Sequence, residues 1–255
     1  MTRTTPTGPI PPVPDSEQVR PQGRLSTWIA LLRGQVVLVG VGILVILFGL
    51  VMALVLAADL RPTWWDIGLT HEIQELPDPV GAVLVRVSDI GFAPWNWLAP
   101  ILAVLALLAL RWRVEAAFLA LSSAGGFLAE VVKQMVHRPR PVPEFAHISF
   151  ALQTSSFPSG HVAGYVTFFG FAFYLAYTLL PRKNPLRWVI LIVCGLLVAL
   201  VGASRVYMGQ HWSSDVLAAY FIGFAWLLFA IEMHRIWLRH HPARGTTLEE
   251  SAPGP

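Results

Sequence analysis

The run from 36 to 58 contains only apolar and glycine residues and no charge. A helix of that length covers the roughly 30 Å hydrocarbon core of a bilayer. In lipid, backbone N–H and C=O groups must be satisfied within the segment, which selects helix over open strand. Further apolar runs follow at 95–110, 116–132, 162–180, 188–203 and 216–233. They are continuous rather than alternating, so they too read as helices. The run at 116–132 is interrupted by Glu130, and Trp95 and Trp97 open the preceding one as interfacial anchors. The expected fold class is all-α: a polytopic membrane protein with six transmembrane helices in a bundle.

Composition agrees. The chain is 55% hydrophobic and 13% charged, with a mean hydropathy of +0.59, which excludes an ordinary soluble domain. The net charge of +3 belongs to the connecting segments, so it is read as membrane topology and not as nucleic-acid binding. Cys194 is the single cysteine, so no disulfide forms within the chain. Segment 1–30 holds Pro6, Pro9, Pro11, Pro12, Pro14 and Pro21 and is expected to be a disordered cytoplasmic tail without a secretory signal. Segment 240–255 reads the same way, leaving 34–236 as the membrane domain.

Loop charges give an orientation. Arg3, Arg20, Arg24 and Arg33, then Arg111 and Arg113, then Arg182, Lys183 and Arg187, then Arg235, Arg239 and Arg244 all fall on one side of a six-span chain. The positive-inside rule makes that side cytoplasmic. The connection 59–94 falls on the other side. Its apolar stretch 80–87 is too short to span and is expected to form a helix on the outer surface, an extracytoplasmic cap. Trp64, Trp65 and His71 read as interface residues.

Three polar islands lie on that same outer side, at the edges of apolar runs. The first, Lys133 to Pro141, contains Arg138 and Arg140; the second is Pro158-Ser159-Gly160-His161; the third contains Ser204, Arg205, His211 and Asp215. Gathered cations, two histidines and a carboxylate suit a phosphate, whose oxygens need neutralising while a nucleophile attacks in line. Arginine binds two oxygens with its planar fork. Ser159 is a helix N-cap candidate, and a helix beginning there turns its positive end toward an anion. His211 and Asp215, four apart, share a helix face, where a carboxylate can fix the imidazole tautomer. The helix start at His161 lowers that residue's pKa, which opposes an acid role. A metal site is disfavoured, because the neighbouring arginines and lysine repel a cation. Glu130, one turn before Lys133, is a charge inside a span and a functional suspect.

The islands resemble the signature motifs of the type 2 phosphatidic acid phosphatase (PAP2) superfamily. Lys-x6-Arg-Pro is matched by Lys133, Arg140 and Pro141; Pro-Ser-Gly-His by residues 158–161; and Ser-Arg-x5-His-x3-Asp by Ser204, Arg205, His211 and Asp215. The resemblance implies roles. His211 would be the nucleophile that becomes phosphohistidine, Asp215 its orienting partner, and His161 the general acid. Lys133, Arg140, Ser159, Gly160 and Arg205 would cradle the phosphate, with Arg138 assisting. It also implies a metal-independent hydrolase without cofactors, whose partners are the bilayer and a lipid phosphate or polyprenyl pyrophosphate. Undecaprenyl pyrophosphate and phosphatidylglycerol phosphate are the leading substrates, and a bacterial inner membrane is the expected location. A lipid phosphotransferase and a non-catalytic lipid-phosphate binder or transporter remain alternatives, and oligomeric state is not legible.

Overall fold

The computed structural model describes residues 22–241. Among them there are nine helices and no strand. The helices are α1 (Gln22–Ala57), α2 (Trp64–Gln74), α3 (Asp78–Asp89), α4 (Trp95–Ala109), α5 (Arg113–Ser123), α6 (Gly125–Val136), α7 (Gly160–Leu179), α8 (Pro185–Tyr207) and α9 (Ser213–His240). Five stretches are long and apolar enough to cross a membrane: Gly34–Ala57, Arg113–Val136, Gly160–Leu179, Pro185–Tyr207 and Ser213–His240. The chain is a multi-pass membrane protein. The run expected at 95–110 forms a shorter apolar helix, and the one at 116–132 extends to 113–136 with a break at Ala124. Helix α1 begins at Gln22, inside the segment expected to be a disordered tail. Residues 1–21 and 242–255, the remainder of the two expected tails, lie outside the described residues.

Helix α7 is the hub. It packs against α5, α6, α8 and α9, and its Val162, Ala163, Val166 and Phe171 are fully buried. Small residues allow the close approach: Gly223 of α9 lies against Val166. A second apolar cluster joins Phe48, Val51 and Val55 of α1 to Phe157 and Ala218. The outer faces of α1 and α8 are apolar as well. Val36, Leu38, Ile46 and Leu54 on α1, and Val189, Ile192 and Leu196 on α8, are exposed. A continuous apolar outside is tolerated only against lipid or a partner protein.

Local chemistry fixes the helix ends that matter to the site. Ser159 caps α7 by accepting from the Val162 N–H, and Asn184 with Pro185 starts α8. Thr63 and Asp66 form a reciprocal capping box at the start of α2. Helix α6 ends on His137 in the left-handed region, which turns the chain into the first polar island. Gly209, between α8 and α9, has φ +65°, and a Cβ there would meet the His147 carbonyl oxygen at 2.1 Å. Only glycine fits that crossing of the two loops. The 59–94 connection folds into α2 and α3; α3 packs on α8, and α2 touches α8 and α9.

Candidate active site

The ends of α6 and α8, the starts of α4 and α7 and the loops that carry Arg140, Thr154 and His211 meet at one end of the bundle. There they enclose a cavity of about 450 Å³. Lys133, Arg140, Gly160, His161, Arg205 and His211 all line it. Three islands separated by up to seventy-odd positions thus converge on one space. The cavity continues into an apolar half bounded by Ala99, Pro100, Gly126, Gly164, Phe168 and Phe169.

His211 has a defined tautomer. Its Nδ1 lies 2.8 Å from the Ser156 carbonyl oxygen, which can only accept, so Nδ1 carries the proton. The other nitrogen, Nε2, lies 3.4 Å from the Arg140 guanidinium, which can only donate. The Nε2 lone pair therefore receives a long contact from Arg140, in a ring that lines the cavity. Burial, with Arg140 and Arg205 adding to it, pushes the His211 pKa down to about 3, so the ring is neutral at physiological pH.

The expected orienting contact from Asp215 is indirect. Its Oδ2 is 3.7 Å from His211 Nδ1, beyond hydrogen-bond reach. The carboxylate instead accepts from Ser156 Oγ, from the Trp212 N–H at 2.8 Å and from Arg138 at 2.5 Å. Asp215 holds Ser156, and the Ser156 carbonyl holds His211.

The two inner arginines differ in a telling way. Arg138 has five N–H groups and five partners. Nε donates to Leu60 O, Nη1 to Ser214 Oγ and Asp215 Oδ1, and Nη2 to Arg61 O and Asp66 Oδ2. It is completely buried and does not line the cavity. The expectation that Arg138 assists in the phosphate cradle is corrected: its charge is neutralised by Asp66 and Asp215 behind the site. Arg205 is equally buried, but only its Nη1 is engaged, donating to Ser88 Oγ at 2.6 Å. Its Nε and Nη2 have no partner among the described residues, and its guanidinium lies over the Phe92 ring. Buried N–H groups left unmatched are costly, so they mark a place for an acceptor that arrives from outside.

Arg140 is held by the carbonyls of Thr154, Ser155 and Gln210, which fix its direction without cancelling its charge. Lys133 donates to Glu130 Oε2 at 3.0 Å. His161 stands at the start of α7, edge-on to Phe92, with Nε2 buried and unmatched among the described residues. Ser159 is buried, caps α7 and does not line the cavity, whereas Gly160 does. Ser204 donates to Val201 O within its own helix. Among the described residues no group of three or more His, Cys, Asp or Glu is arranged to hold a metal ion.

Sequence reasoning missed Asp66, Ser88 and Ser156. Asp66 carried a signal, since Thr63 and Asp66 stand at capping-box spacing, but nothing in one dimension joins them to Arg138. The interface residue His71 lies 2.9 Å from Phe145 O, and Gln74 bonds His147 and Tyr207. Helix α2 thereby braces the loop that carries Thr154 to Ser156.

An all-helical, multi-pass chain with a cation-lined cavity at one end of its bundle is the class defined so far. Residues 115–239, which hold every cavity-lining polar residue named above, match the PAP2 superfamily. Phosphatidylglycerophosphatase B of Bacillus subtilis is 34% identical over 96 residues, 38% of this chain and 46% of that protein. An undecaprenyl-diphosphatase of Sulfolobus acidocaldarius is 33% identical over 106 residues, 40% of this chain and 46% of that protein. The matched stretch thus spans under half of each of these two relatives. A crystal structure of a transmembrane PAP2-type phosphatidylglycerolphosphate phosphatase from Bacillus subtilis shares the fold. Its TM-score is 0.65 at 20% identity, covering 77% of this chain and 96% of that one.

Two outcomes follow. Asp66→Ala leaves Arg138 buried against a single carboxylate and removes an acceptor from Ser214, and breaking a buried pair typically costs about 3–5 kcal/mol. Thermal unfolding in detergent should show a lower Tm; an unchanged Tm would mean that the pair contributes nothing to stability. His211 is depressed by folding, so between about pH 6.5 and pH 3 the unfolded chain binds more protons there than the folded one. Stability from this group is present above that window and falls as pH drops through it. His211→Gln should flatten the slope of Tm against pH across the window, and an identical slope would contradict the assignment.

Proposed function

We propose that this chain is an integral-membrane lipid phosphatase acting through a phosphohistidine on His211. The carrying observation is the convergence of the His211 Nε2 lone pair with the unmatched Nε and Nη2 of Arg205, beside Arg140 and Lys133, in one cavity. A phosphate fits that demand: its oxygens accept from Arg205, Arg140 and Lys133 while its phosphorus faces Nε2. Attack forms the N–P bond and breaks the bond to the leaving oxygen, and His161 Nε2 gives that oxygen its proton. A water molecule then attacks phosphorus and returns a proton to His161, the N–P bond breaks, and phosphate leaves with His211 restored. Asp215 and Ser156 hold the ring through both steps, and Gly160 lets the phosphate approach the backbone at the start of α7. The cations required are the chain's own, so turnover is expected without a metal or other cofactor.

The apolar half of the cavity suits a lipid chain. The relatives' names point to phosphatidylglycerophosphate and undecaprenyl diphosphate as candidate substrates. We also infer six crossings, with α4 as the sixth. Helices α1, α5–α6 and α8 run toward the site and α4, α7 and α9 run away from it. Arg111, Arg113, Arg182, Lys183, Arg235 and Arg239 gather at the opposite end, which the positive-inside rule makes cytoplasmic. The site then faces the extracytoplasmic side under a cap of α2 and α3, in a bacterial inner membrane with both termini cytoplasmic.

Phosphate release by purified protein in detergent, with a chelator present, tests this reading. Suitable substrates are a diacyl lipid phosphate, phosphatidylglycerol phosphate, a polyprenyl diphosphate and a water-soluble phosphate ester. Release from a lipid should fall by several powers of ten in His211→Ala, and Arg205→Lys should fail as well because a point charge cannot replace a two-toothed contact. A His211→Ala variant with wild-type rates would overturn the mechanism. Phosphate passed to an added alcohol in place of water would assign the site to a phosphotransferase.

A further inference from the structure

Resting on the phosphatase reading, we propose that Ser88, Gly91 and Phe92, at the end of α3 and just beyond it, are positioning residues for that reaction. One short segment aims both Arg205, which takes the phosphate, and His161, which protonates the leaving oxygen.

Helix α3 buries one face. Gly81, Leu84, Val87 and Ser88 recur at helical spacing and are buried, and α3 packs on α8. Gly81 lets the two helices meet closely: a Cβ there would lie 1.9 Å from the Tyr207 hydroxyl, and Tyr207 ends α8 two residues past Arg205. This seam delivers Ser88 to Arg205. Ser88 is fully buried, and its Oγ accepts from Arg205 Nη1 at 2.6 Å, the one side-chain hydrogen bond of that guanidinium among the described residues. The guanidinium also lies over the Phe92 ring, 5.1 Å from its centroid. With Nε and Nη2 unmatched, these two contacts set the direction of the fork.

The same segment meets His161. The Phe92 and His161 rings stand edge to face with centroids 4.7 Å apart. A Cβ on Gly91 would lie 2.4 Å from His161 Cδ2 and 3.0 Å from its Nε2, so residue 91 is pressed against the side of the ring that carries the proton-donating nitrogen. Only a residue without a side chain allows that approach. Nε2 has no partner among the described residues, so packing sets where it lies. Tyr165 closes the arrangement from α7: its hydroxyl donates to Val87 O, and its ring also lies against Gly91. An acid must stand within about 2.6–3.2 Å of the oxygen it protonates, and a misplacement of about 1 Å costs on the order of 100-fold. Ser88, Gly91 and Phe92 all lie outside residues 115–239, which contain the three polar islands.

The test reads two quantities in one detergent condition. The first is the ratio of kcat/KM for phosphatidylglycerol phosphate, whose alkyl leaving group needs a proton, to kcat/KM for 4-dodecyl-2-nitrophenyl phosphate, whose leaving group does not. The second is the inhibition constant of orthophosphate, read on either substrate. Neither depends on the fraction of active protein, so damage to folding alone moves neither. Gly91→Ala should shift the ratio toward the nitrophenyl ester by about tenfold or more, part of the roughly 10²–10⁴-fold that a placed acid contributes. Ser88→Ala should leave the ratio near that of wild type and raise the orthophosphate constant by about tenfold, the size of one hydrogen bond to a charged group. Phe92→Leu keeps an apolar side chain in place, should move both quantities, and carries the test if Gly91→Ala does not fold. A ratio unmoved in Gly91→Ala and Phe92→Leu, or an orthophosphate constant unmoved in Ser88→Ala, would overturn the proposal while leaving the phosphatase intact. Wild-type turnover of the nitrophenyl ester alone would overturn it too, since no acid would then be aimed at an alkyl oxygen. Turnover of neither substrate by wild type would instead bring down the phosphatase reading, and the proposal with it.

Discussion

A guanidinium buried where five helix ends meet has to be matched, and Arg138 is matched on every hydrogen it can donate. Its two carboxylate partners come from distant parts of the chain, Asp66 at the start of α2 and Asp215 at the start of α9. Its carbonyl partners, Leu60 and Arg61, come from the turn that follows α1. A half-satisfied network of this kind would be worse than an apolar core, so the full set of partners specifies how the helix ends assemble. Ser214 reinforces it, donating both its backbone N–H and its hydroxyl to Asp66. The floor of the cavity is thereby fixed before any ligand arrives.

Rigid support on one side makes an unmatched group possible on the other. Arg205 is as buried as Arg138 but keeps two N–H-bearing nitrogens without partners, held in place by Ser88 and the Phe92 ring. His211 is tied at Nδ1 by the Ser156 carbonyl, and its Nε2 meets the Arg140 guanidinium at 3.4 Å. Such a site costs stability without its ligand and needs no rearrangement when the ligand binds, which is what preorganised electrostatic stabilisation requires. Under the proposed function phosphate oxygens would satisfy the arginine while phosphorus faces the imidazole, so one anion would answer both features.

Much of this was legible in one dimension. Apolar runs of membrane length announced the helices, because a bilayer demands long, uninterrupted apolar segments with internal hydrogen bonds. Cavity-lining Lys133, Arg140, Gly160, His161, Arg205 and His211 were all named from motif spacing. What sequence could not supply was the third dimension of the polar network. Arg138 and Arg140, two residues apart in one basic stretch, face opposite sides of the site, and only packing decides which of them meets the carboxylates. Asp215 stands four residues from His211, as a direct pair would, yet the Ser156 carbonyl takes the ring nitrogen because the loop before α7 passes between them. Asp66 and Ser88 sit in the 59–94 connection, whose composition suggests a surface cap and conceals two side chains that reach the core of the site. The membrane-length criterion also blurred at α4, a shorter helix than its neighbours, and at α5–α6, where the chain breaks at Ala124.

The central claim is that His211 Nε2 bonds to phosphorus during turnover, and trapping that bond tests it most directly. Purified protein would be mixed with a lipid substrate labelled in its terminal phosphate, quenched in alkali within the first turnovers, digested and mapped. The account predicts an alkali-stable, acid-labile label on the peptide carrying His211, discharged by water on a chase. Label on another residue, or steady phosphate release with no labelled protein at any quench time, would contradict it.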